Sequence, residues 1–226
     1  MPNARYDGLA DAYDAFVDLH SPYYATAAAA LRRFLARGSG RCLDVGCGGG
    51  HFATVALELG WTVVGVDASP DQLRVARRRV PQLTAVAADA VALPFPDESF
   101  DAAFSTFTHT DLDDFAGAMG EVLRVLKPGR RFVYVGNHPC FVGATQEHVE
   151  TGLPRLHEGY RRSGRWNADD APGATPGGWR VALGSFVHLP LQDFLTAFAG
   201  FVLECVEELD DGFEYPKTIA LALRRP

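Results

Sequence analysis

The sequence predicts an α/β fold: a mostly parallel seven-stranded sheet that ends in an antiparallel hairpin and carries helices on both faces. Short apolar strands alternate with helices from residue 41 to residue 136, and crossovers of this length imply parallel strands joined with right-handed connections. The last two strands, 201–209 and 218–224, have only a turn between them, which is typical of antiparallel neighbours.

Each predicted element has a local reason. Gly60 follows an apolar helical segment as a C-terminal cap, and Ser69 with Pro70 opens the next helix, because serine caps and proline suits the first helical position. The predicted helices are 23–37, 52–59, the one after Ser69, 113–126 and 190–199, and the predicted parallel strands are 41–45, 62–66, 83–87, 99–105 and 131–136.

Residues 137–189 break the alternation. They hold many Gly and Pro residues together with Tyr160, Trp166 and Trp179, and about fifty residues are too many for a plain connection. We therefore predict an inserted lid or substrate segment, partly helical over 147–162, within a single domain that spans 1–226. Residues 1–40 are predicted to form an N-terminal helical cover.

Composition excludes several classes of protein. The 226 residues carry 21 basic and 28 acidic side chains, a net charge of −7, which argues against nucleic-acid or anionic-membrane partners. The N-terminal residues include acidic ones and lack an apolar signal core, and no apolar run is long enough to span a bilayer. The four cysteines show no metal spacing. We expect a cytoplasmic protein, monomeric or homodimeric, and the Ala- and Arg-rich usage suggests a bacterial source.

The strongest chemical signal is a glycine turn between the first strand and the next helix. Gly46-x-Gly48-x-Gly50 lets the backbone approach a ligand closely, and the helix N-terminus adds unpaired N–H groups. This spacing fits a cradle for a nucleoside joined to an amino acid. Counted from Gly48, the variant dinucleotide pattern GxGxxA also fits through Ala53, so the glycines alone leave a nicotinamide-cofactor site open.

Two acidic residues follow the glycine turn at the same predicted sheet edge. Asp67 ends the second strand about 20 residues after the glycines, where a carboxylate accepts hydrogen bonds from ribose hydroxyls. Asp89 comes just after the third strand, where a side-chain acceptor beside an apolar wall can read an exocyclic amine. The three features in this order predict one adenosine-binding edge.

Five motifs run along this part of the sequence: LDVGCGGG (43–50), VVGVDAS (63–69), AADA (87–90), LPFPDESFD (93–101) and EVLRVLKPGRRF (121–132). Together they resemble the class I S-adenosylmethionine-dependent methyltransferases, of the small-molecule type similar to ubiquinone and menaquinone methyltransferases. The resemblance covers residues 6–136 well and the C-terminal strands loosely. It implies a Rossmann-like fold with S-adenosylmethionine as cofactor, S-adenosylhomocysteine as product and a small-molecule methyl acceptor as partner.

The resemblance also implies which residues bind the cofactor. The methionine end lies against Asp44 and the glycine turn, the ribose against Asp67 and the adenine amine against Asp89. Gln72 stands where the family often has Met, so the adenine wall is expected to be more polar, and Tyr13 matches a tyrosine that often closes over the cofactor. The full implied set is Tyr13, Asp44, Gly46, Cys47, Gly48, Gly50, Asp67, Ala68, Gln72, Asp89, Ala90 and Thr106.

The substrate side departs from the family pattern. Quinone-type members usually carry a His-His pair after the fourth strand, and His109 stands one position early. His109 and His138 are the candidate catalytic bases, because imidazole titrates near neutrality. A metal site using Asp111 and Asn137 is an alternative for which no third ligand is evident, so no metal is predicted.

These observations predict an enzyme that moves a methyl group from S-adenosylmethionine to an O, N or C nucleophile of a small molecule, quinone-like or a secondary metabolite. Two alternatives remain. One is a methyltransferase-like protein that binds the cofactor without methyl transfer or uses it in another reaction. The other is an NAD-dependent dehydrogenase, although its domain would continue with parallel units rather than end in a hairpin.

Overall fold

A seven-stranded sheet organises the chain. A computed structural model describes residues 4–149, 152–176 and 178–226. Two small two-stranded sheets, β6 with β7 and β8 with β9, lie outside the main sheet. The strands are β1 (Arg41–Val45), β2 (Thr62–Asp67), β3 (Thr84–Ala87), β4 (Phe100–Thr106), β5 (Leu126–Asn137), β6 (Gln146–Glu147), β7 (Arg155–Leu156), β8 (Gly164–Asn167), β9 (Ser185–His188), β10 (Val202–Glu208) and β11 (Thr218–Arg224).

The strand order of the main sheet is β10-β11-β5-β4-β1-β2-β3. β1 is an interior strand and pairs in parallel with β2 and β4, with Val45 opposite both Val66 and Ser105. β11 runs antiparallel to both β5 and β10. The predicted fold class, a mostly parallel sheet that ends in an antiparallel hairpin, is confirmed.

Helices cover both faces because successive side chains of a strand point to opposite sides. Cys42 of β1 packs on one face and Leu43 on the other, and both are fully buried. None of the helices in the described part of the chain is long and apolar enough to cross a lipid bilayer. The helices are α1 (Ala10–Leu19), α2 (Ser21–Leu35), α3 (Ala53–Glu58), α4 (Pro70–Arg79), α5 (Phe115–Val125), α6 (Trp179–Ala182) and α7 (Leu191–Thr196), with a 3₁₀ turn at Ala168–Asp170.

The N-terminal region adds a helix that the sequence did not resolve as a separate element. α1 lies beside α4, and its acidic side chains pair with the arginines of α4. Arg79 binds Asp14 at 2.7 Å and Asp18 at 3.1 Å, and Arg78 binds Asp11 at 3.1 Å. The arginine run of α4 therefore holds the N-terminal helix against the domain rather than facing solvent alone.

Residues 137–189 contain little helix. The predicted helix over 147–162 is wrong for the residues described there: Gln146–Glu147 pairs with Arg155–Leu156 as a short hairpin, and turns follow. Residues 150 and 151 of that span lie outside the described residues, as do residues 1–3 of the predicted cover. β8 then pairs with β9, with Trp166 opposite Phe186.

Two glycines of α5 give a matched test of the side-chain cap at the start of that helix. A Cβ on Gly120 would meet nothing within 4 Å, whereas one on Gly117 would lie 2.2 Å from Oδ2 of Asp114, whose side chain caps α5 by accepting from Gly117 N at 2.7 Å. We expect Gly120→Ala to raise the free energy of unfolding by about 0.5–1 kcal/mol. Gly117→Ala should lower it, because the cap must move. Urea denaturation measures both, and equal shifts would contradict the cap.

Candidate active site

Two adjoining cavities open at the edge of the sheet where the parallel strands end. The first, called the glycine-turn cavity, has a volume of about 500 Å³ and is lined by the turn after β1 and the ends of β2, β3 and β4. The second, called the aromatic cavity, has a volume of about 430 Å³ and lies between the N-terminal helices and residues 137–189. Ligands of open α/β sheets bind at this edge.

The turn after β1 presents backbone to the glycine-turn cavity. Gly46, Gly48 and Gly50 have φ values of +71°, +49° and +82°, a conformation that glycine adopts without strain. A Cβ on Gly46 would lie 2.4 Å from Cγ2 of Thr108, while one on Gly48 would meet nothing nearer than Gln72 Oε1 at 3.6 Å. The space beside Gly48 is therefore open to a ligand.

Asp67 fixes this turn in place. Its Oδ2 accepts a hydrogen bond from Gly48 N and its Oδ1 accepts one from Ser69 N, each at 2.9 Å. Burial raises the pKa of the Asp67 carboxyl to about 6, although the two backbone N–H groups oppose the rise. Each carboxylate oxygen can accept more than one hydrogen bond, so Asp67 keeps acceptor capacity toward the cavity.

Buried polar atoms without partners surround the glycine turn. Both carboxylate oxygens of Asp44, which is 1% exposed, lack a hydrogen-bond partner among the described residues. Burial, with the nearby Asp67 charge, raises the Asp44 pKa well above its usual range. Both amide atoms of Gln72 are also unpartnered. Buried polar groups are normally satisfied, so these atoms fit a polar ligand that carries a positive charge.

Most of the residues predicted to bind the cofactor line the glycine-turn cavity. Asp89 is exposed at its rim and accepts from Val91 N at 3.1 Å. Asp44, Cys47 and Gly50 are not in the lining: Cys47 packs against Gly65, and Gly50 packs under Val80. The assignment of all twelve residues to the cofactor remains a prediction. The predicted residues in the lining are Tyr13, Gly46, Gly48, Asp67, Ala68, Gln72, Asp89, Ala90 and Thr106.

The N-terminal segment closes over the glycine-turn cavity. Arg5 Nη1 donates to Asp111 Oδ1 at 2.8 Å, and the Tyr6 hydroxyl donates to Asp111 Oδ2 at 3.2 Å. Farther along, Ser69 Oγ donates to Asp7 Oδ1 at 2.6 Å. Segment 4–8 is therefore fastened both to the loop after β4 and to the start of α4.

The two cavities share a common wall. Tyr6, Tyr13, Phe107 and Asp111 line both of them. Phe107 has φ of +56°, which a non-glycine residue rarely adopts and which tends to occur at functional sites. Trp179 of α6 lies 4.8 Å from the Tyr13 ring and 6.1 Å from the Tyr6 ring, measured between centroids. A group held in one cavity beside this wall can face a group held in the other.

The aromatic cavity is mostly apolar and contains a few charged groups. His148 Nδ1 lies 3.0 Å from the Tyr215 hydroxyl, and burial lowers the pKa values of both His148 and Lys217. Ligand pockets are typically apolar with a small number of placed polar groups. Its ring-bearing lining residues include Phe16, Tyr23, Tyr24, Phe141, Phe186, Phe213 and Tyr215.

His109 does not reach either cavity. It is 2% exposed, and its ring packs between Phe115 and Phe194 under the sheet, with centroid distances of 6.1 and 5.3 Å. Its Nδ1 lies 2.6 Å from the Tyr134 hydroxyl, and burial lowers its pKa to about 3. In this structure the His109 ring turns into the core, so a role as catalytic base stays a prediction that this geometry does not support.

His138 also has a structural position. Its Nδ1 accepts from Cys140 N at 3.1 Å, so Nε2 carries the proton and donates to Glu208 at 2.8 Å. This fastens the end of β5 to β10, and the ring is absent from the lining of the aromatic cavity. A role for His138 as a base stays a prediction, and in this structure both ring nitrogens are engaged in contacts within the protein.

Sequence reasoning missed several residues at the junction. Arg5, Tyr6 and Phe107 belong to no motif, and the only signal for them is their position beside segments that reach the sheet edge. Asp111 was considered only as a metal ligand. Among residues 4–149, 152–176 and 178–226, no group of three or more His, Cys, Asp or Glu side chains could hold a metal ion.

Comparisons with known proteins fit this geometry. Residues 43–134 match the family model for a methyltransferase domain. The demethylmenaquinone methyltransferase of Renibacterium salmoninarum is 40% identical over 102 residues, which is 45% of this chain and 43% of that protein. The chain thus matches about half the length, or less, of such relatives.

Two solved structures extend the comparison to nearly the whole chain. An S-adenosylmethionine-dependent methyltransferase from Mesorhizobium loti superimposes with a TM-score of 0.71 at 26% identity, covering 87% of this chain and 96% of that one. The [4+2]-cyclase SpnF has a TM-score of 0.63 at 20% identity, with 90% and 80% covered, and shares the fold alone.

Residues 43–134 therefore form a methyltransferase domain, on a Rossmann-like fold that the chain shares with class I S-adenosylmethionine-dependent methyltransferases. Within that class it is similar to the quinone methyltransferases, as the sequence predicted. S-Adenosylmethionine is the cofactor of this class of domain, and the unpartnered atoms of Asp44 and Gln72 suit its amino group and polar edge.

The raised pKa of Asp67 gives a test of its role. Ribose hydroxyls that donate to Asp67 favour the ionised carboxylate, so its pKa of about 6 should fall on binding. Affinity for S-adenosylhomocysteine should then weaken as pH falls from about 7 to 5, with protons released on binding near pH 6. Calorimetry in buffers of different ionisation enthalpy measures this release.

The matched variants are Asp67→Asn and Asp89→Asn. Asp67→Asn should shrink the proton release and weaken binding by about 1.5–3 kcal/mol, whereas Asp89→Asn should keep the pH dependence. Equal proton release in wild type and Asp67→Asn would remove Asp67 from the ribose site.

The position of His109 gives a second test. Tyr134→Phe removes the hydroxyl beside His109 Nδ1 and leaves that buried nitrogen without its partner, so the free energy of unfolding should fall by about 1–3 kcal/mol. Affinity for S-adenosylhomocysteine should not change. Thermal denaturation and calorimetry check both, and weakened cofactor binding without loss of stability would return His109 to the site.

Proposed function

We propose that this protein transfers a methyl group from S-adenosylmethionine to an O, N or C nucleophile of a small molecule, quinone-like or a related secondary metabolite. The observation that carries the proposal is the wall formed by Tyr6, Tyr13, Phe107 and Asp111, which is shared by the glycine-turn cavity and the aromatic cavity. The two cavities adjoin at these shared lining residues, so a cofactor in one cavity and an acceptor in the other would meet there.

The residues of the glycine-turn cavity would bind and orient the cofactor. When bound, the cofactor supplies a methyl group on a positively charged sulfur, which needs no further activation. Asp67 would accept from the ribose hydroxyls while it keeps the glycine turn in place, and Asp44 would balance the positive charge at the methionine end. Fixing both partners in line can contribute up to about 7–11 kcal/mol.

The aromatic rings at the junction would exclude water. Tyr13 and Trp179 lie 4.8 Å apart between ring centroids and cover the junction from the N-terminal side and from α6. If the acceptor carries a proton, Asp111 is the carboxylate placed to take it: it lines both cavities, and its Oδ2 is reached by the Tyr6 hydroxyl. Burial raises the Asp111 pKa, which brings a carboxylate closer to the range useful for a general base.

We further propose the setting in which the protein works. A single domain of residues 1–226, with a helical cover over 1–40 and a lid or substrate segment over 137–189, would act as a monomer or homodimer in the cytoplasm of a bacterium. The net charge of −7 supports the absence of nucleic-acid and membrane partners, and bacterial proteins such as the Renibacterium salmoninarum relative support the source.

A cofactor-binding protein that does not transfer methyl groups is the second candidate. The likeness to a [4+2]-cyclase shows that an enzyme named for another reaction shares the fold. Incubation with methyl-labelled S-adenosylmethionine and a panel of naphthols, hydroquinones, related amines and aromatic hydroxy acids separates the two. Label in an acceptor supports the proposal, and tight S-adenosylhomocysteine binding with no labelled product across the panel favours the second candidate.

Trp179 tests the placement of the acceptor. Trp179→Ala removes a ring that contacts Tyr6, Tyr13 and Phe16 at the aromatic cavity, so acceptor KM should rise or turnover should fall. Affinity for S-adenosylhomocysteine should stay within about threefold, ~0.65 kcal/mol. Leu156→Ala, at a position in the same segment that is 69% exposed, is the control and should leave both unchanged. Normal turnover in Trp179→Ala would move the acceptor elsewhere.

A further inference from the structure

The aromatic cavity contains two half-buried cations for which no ion pair is found among the described residues. Arg180 of α6 and Lys217 before β11 both line it. Lys217 Nζ lies 3.3 Å from the centroid of the Phe213 ring. Burying a charge without a compensating partner is costly, so the partners of these two groups indicate what the cavity is built to receive.

Arg180 stands apart from the other arginines that line the two cavities. Arg5 is paired with Asp111 and Arg165 with Asp113, each at 2.8 Å. Within the described ranges, no carboxylate oxygen lies within 4.0 Å of the Arg180 guanidinium, whose hydrogen bond is a 3.4 Å contact from Nη1 to the carbonyl oxygen of Gly143. An arginine has five N–H donors, so most of the donating capacity of Arg180 is left for a ligand.

The surroundings of Arg180 hold it in one orientation. Its guanidinium carbon lies 4.5 Å from the centroid of the Phe186 ring, a stacking distance that fixes the plane of the group. Asp111, Tyr23 and Tyr6 favour its charge from farther away, while burial lowers its pKa. A planar, fixed guanidinium fork matches a carboxylate, which it binds through two parallel hydrogen bonds.

We propose that the methyl acceptor is an anion: an aromatic or apolar body that carries a carboxylate, which Arg180 binds. The inference rests on the proposed function, because it names the substrate class of the same aromatic cavity. The rings of the cavity would receive the apolar body, and Lys217 would add positive potential. A neutral quinone would offer Arg180 only uncharged carbonyl oxygens and leave its charge without a counterion, so this charge sets the expected substrate apart from neutral quinones.

The experiment compares acids with their neutral amides on protein saturated with S-adenosylhomocysteine. Benzoate with benzamide, 2-naphthoate with 2-naphthamide and 9-anthracenecarboxylate with its amide are titrated by calorimetry. In wild type, at least one acid should bind about tenfold or more tightly than its amide. Arg180→Met, which keeps the length of the side chain without its charge, should reduce that preference to within about threefold.

Two further variants keep the result interpretable. Arg180→Lys retains the charge without the fork and should keep part of the preference, which also covers the case in which Arg180→Met fails to fold. Arg162→Met removes an exposed arginine that lies over Trp166, outside both cavities, and should keep the full preference. The inference is overturned if no acid binds to the wild type more tightly than its amide, or if Arg180→Met keeps the full preference for the acid. Failure of S-adenosylhomocysteine itself to bind overturns the proposed function instead.

Discussion

The carboxylate of Asp67 is the interaction on which the site depends. It accepts from the backbone of Gly48 on one side and of Ser69 on the other, so it joins the turn after β1 to the start of α4. Neighbouring bonds from Gly46 and Cys47 to the Val66 carbonyl, at 2.8 and 2.9 Å, fix the same turn to the end of β2. The parallel register of β1 and β2 brings these groups together, and the glycine-turn cavity follows from that register.

The free site carries an energetic cost that a ligand can relieve. Asp44 is buried, and both of its carboxylate oxygens lack a hydrogen-bond partner among the described residues. Both polar atoms of the buried Gln72 amide lack one as well. An unsatisfied buried polar group costs about 1–3 kcal/mol, and more when it is charged. A fold selected only for stability would replace such groups with apolar ones, so their retention indicates that binding compensates for the cost.

Local signals predicted the central part of the fold well. β1 and β11 have the predicted bounds, and α4 begins at Pro70 with Ser69 as its cap, because capping and β-branched runs act over a few residues. Residues 137–189 were less predictable, since β8 pairs with β9 across about twenty residues and local sequence patterns do not reveal such pairing.

The side-chain directions of His109 and His138 could not be predicted from local patterns either. A place after a strand end indicates nearness to the site, but whether the ring faces cavity or core depends on packing. Arg180 belongs to no motif, and its role in binding a ligand is inferred from the residues around it in the structure.

The N-terminal segment has a consequence for the timing of the reaction. Tyr6 and Tyr13 line both cavities, and Arg5 and Tyr6 fasten the segment to Asp111. Both members of the Arg5–Asp111 pair are about a quarter exposed, so water reaches the fastening and local opening is inexpensive compared with unfolding of the sheet. One such opening uncovers both compartments at once. In the proposed reaction, departure of the spent cofactor and departure of the product would therefore be linked events, and the lifetime of the closed segment would set a ceiling on the number of cycles per second.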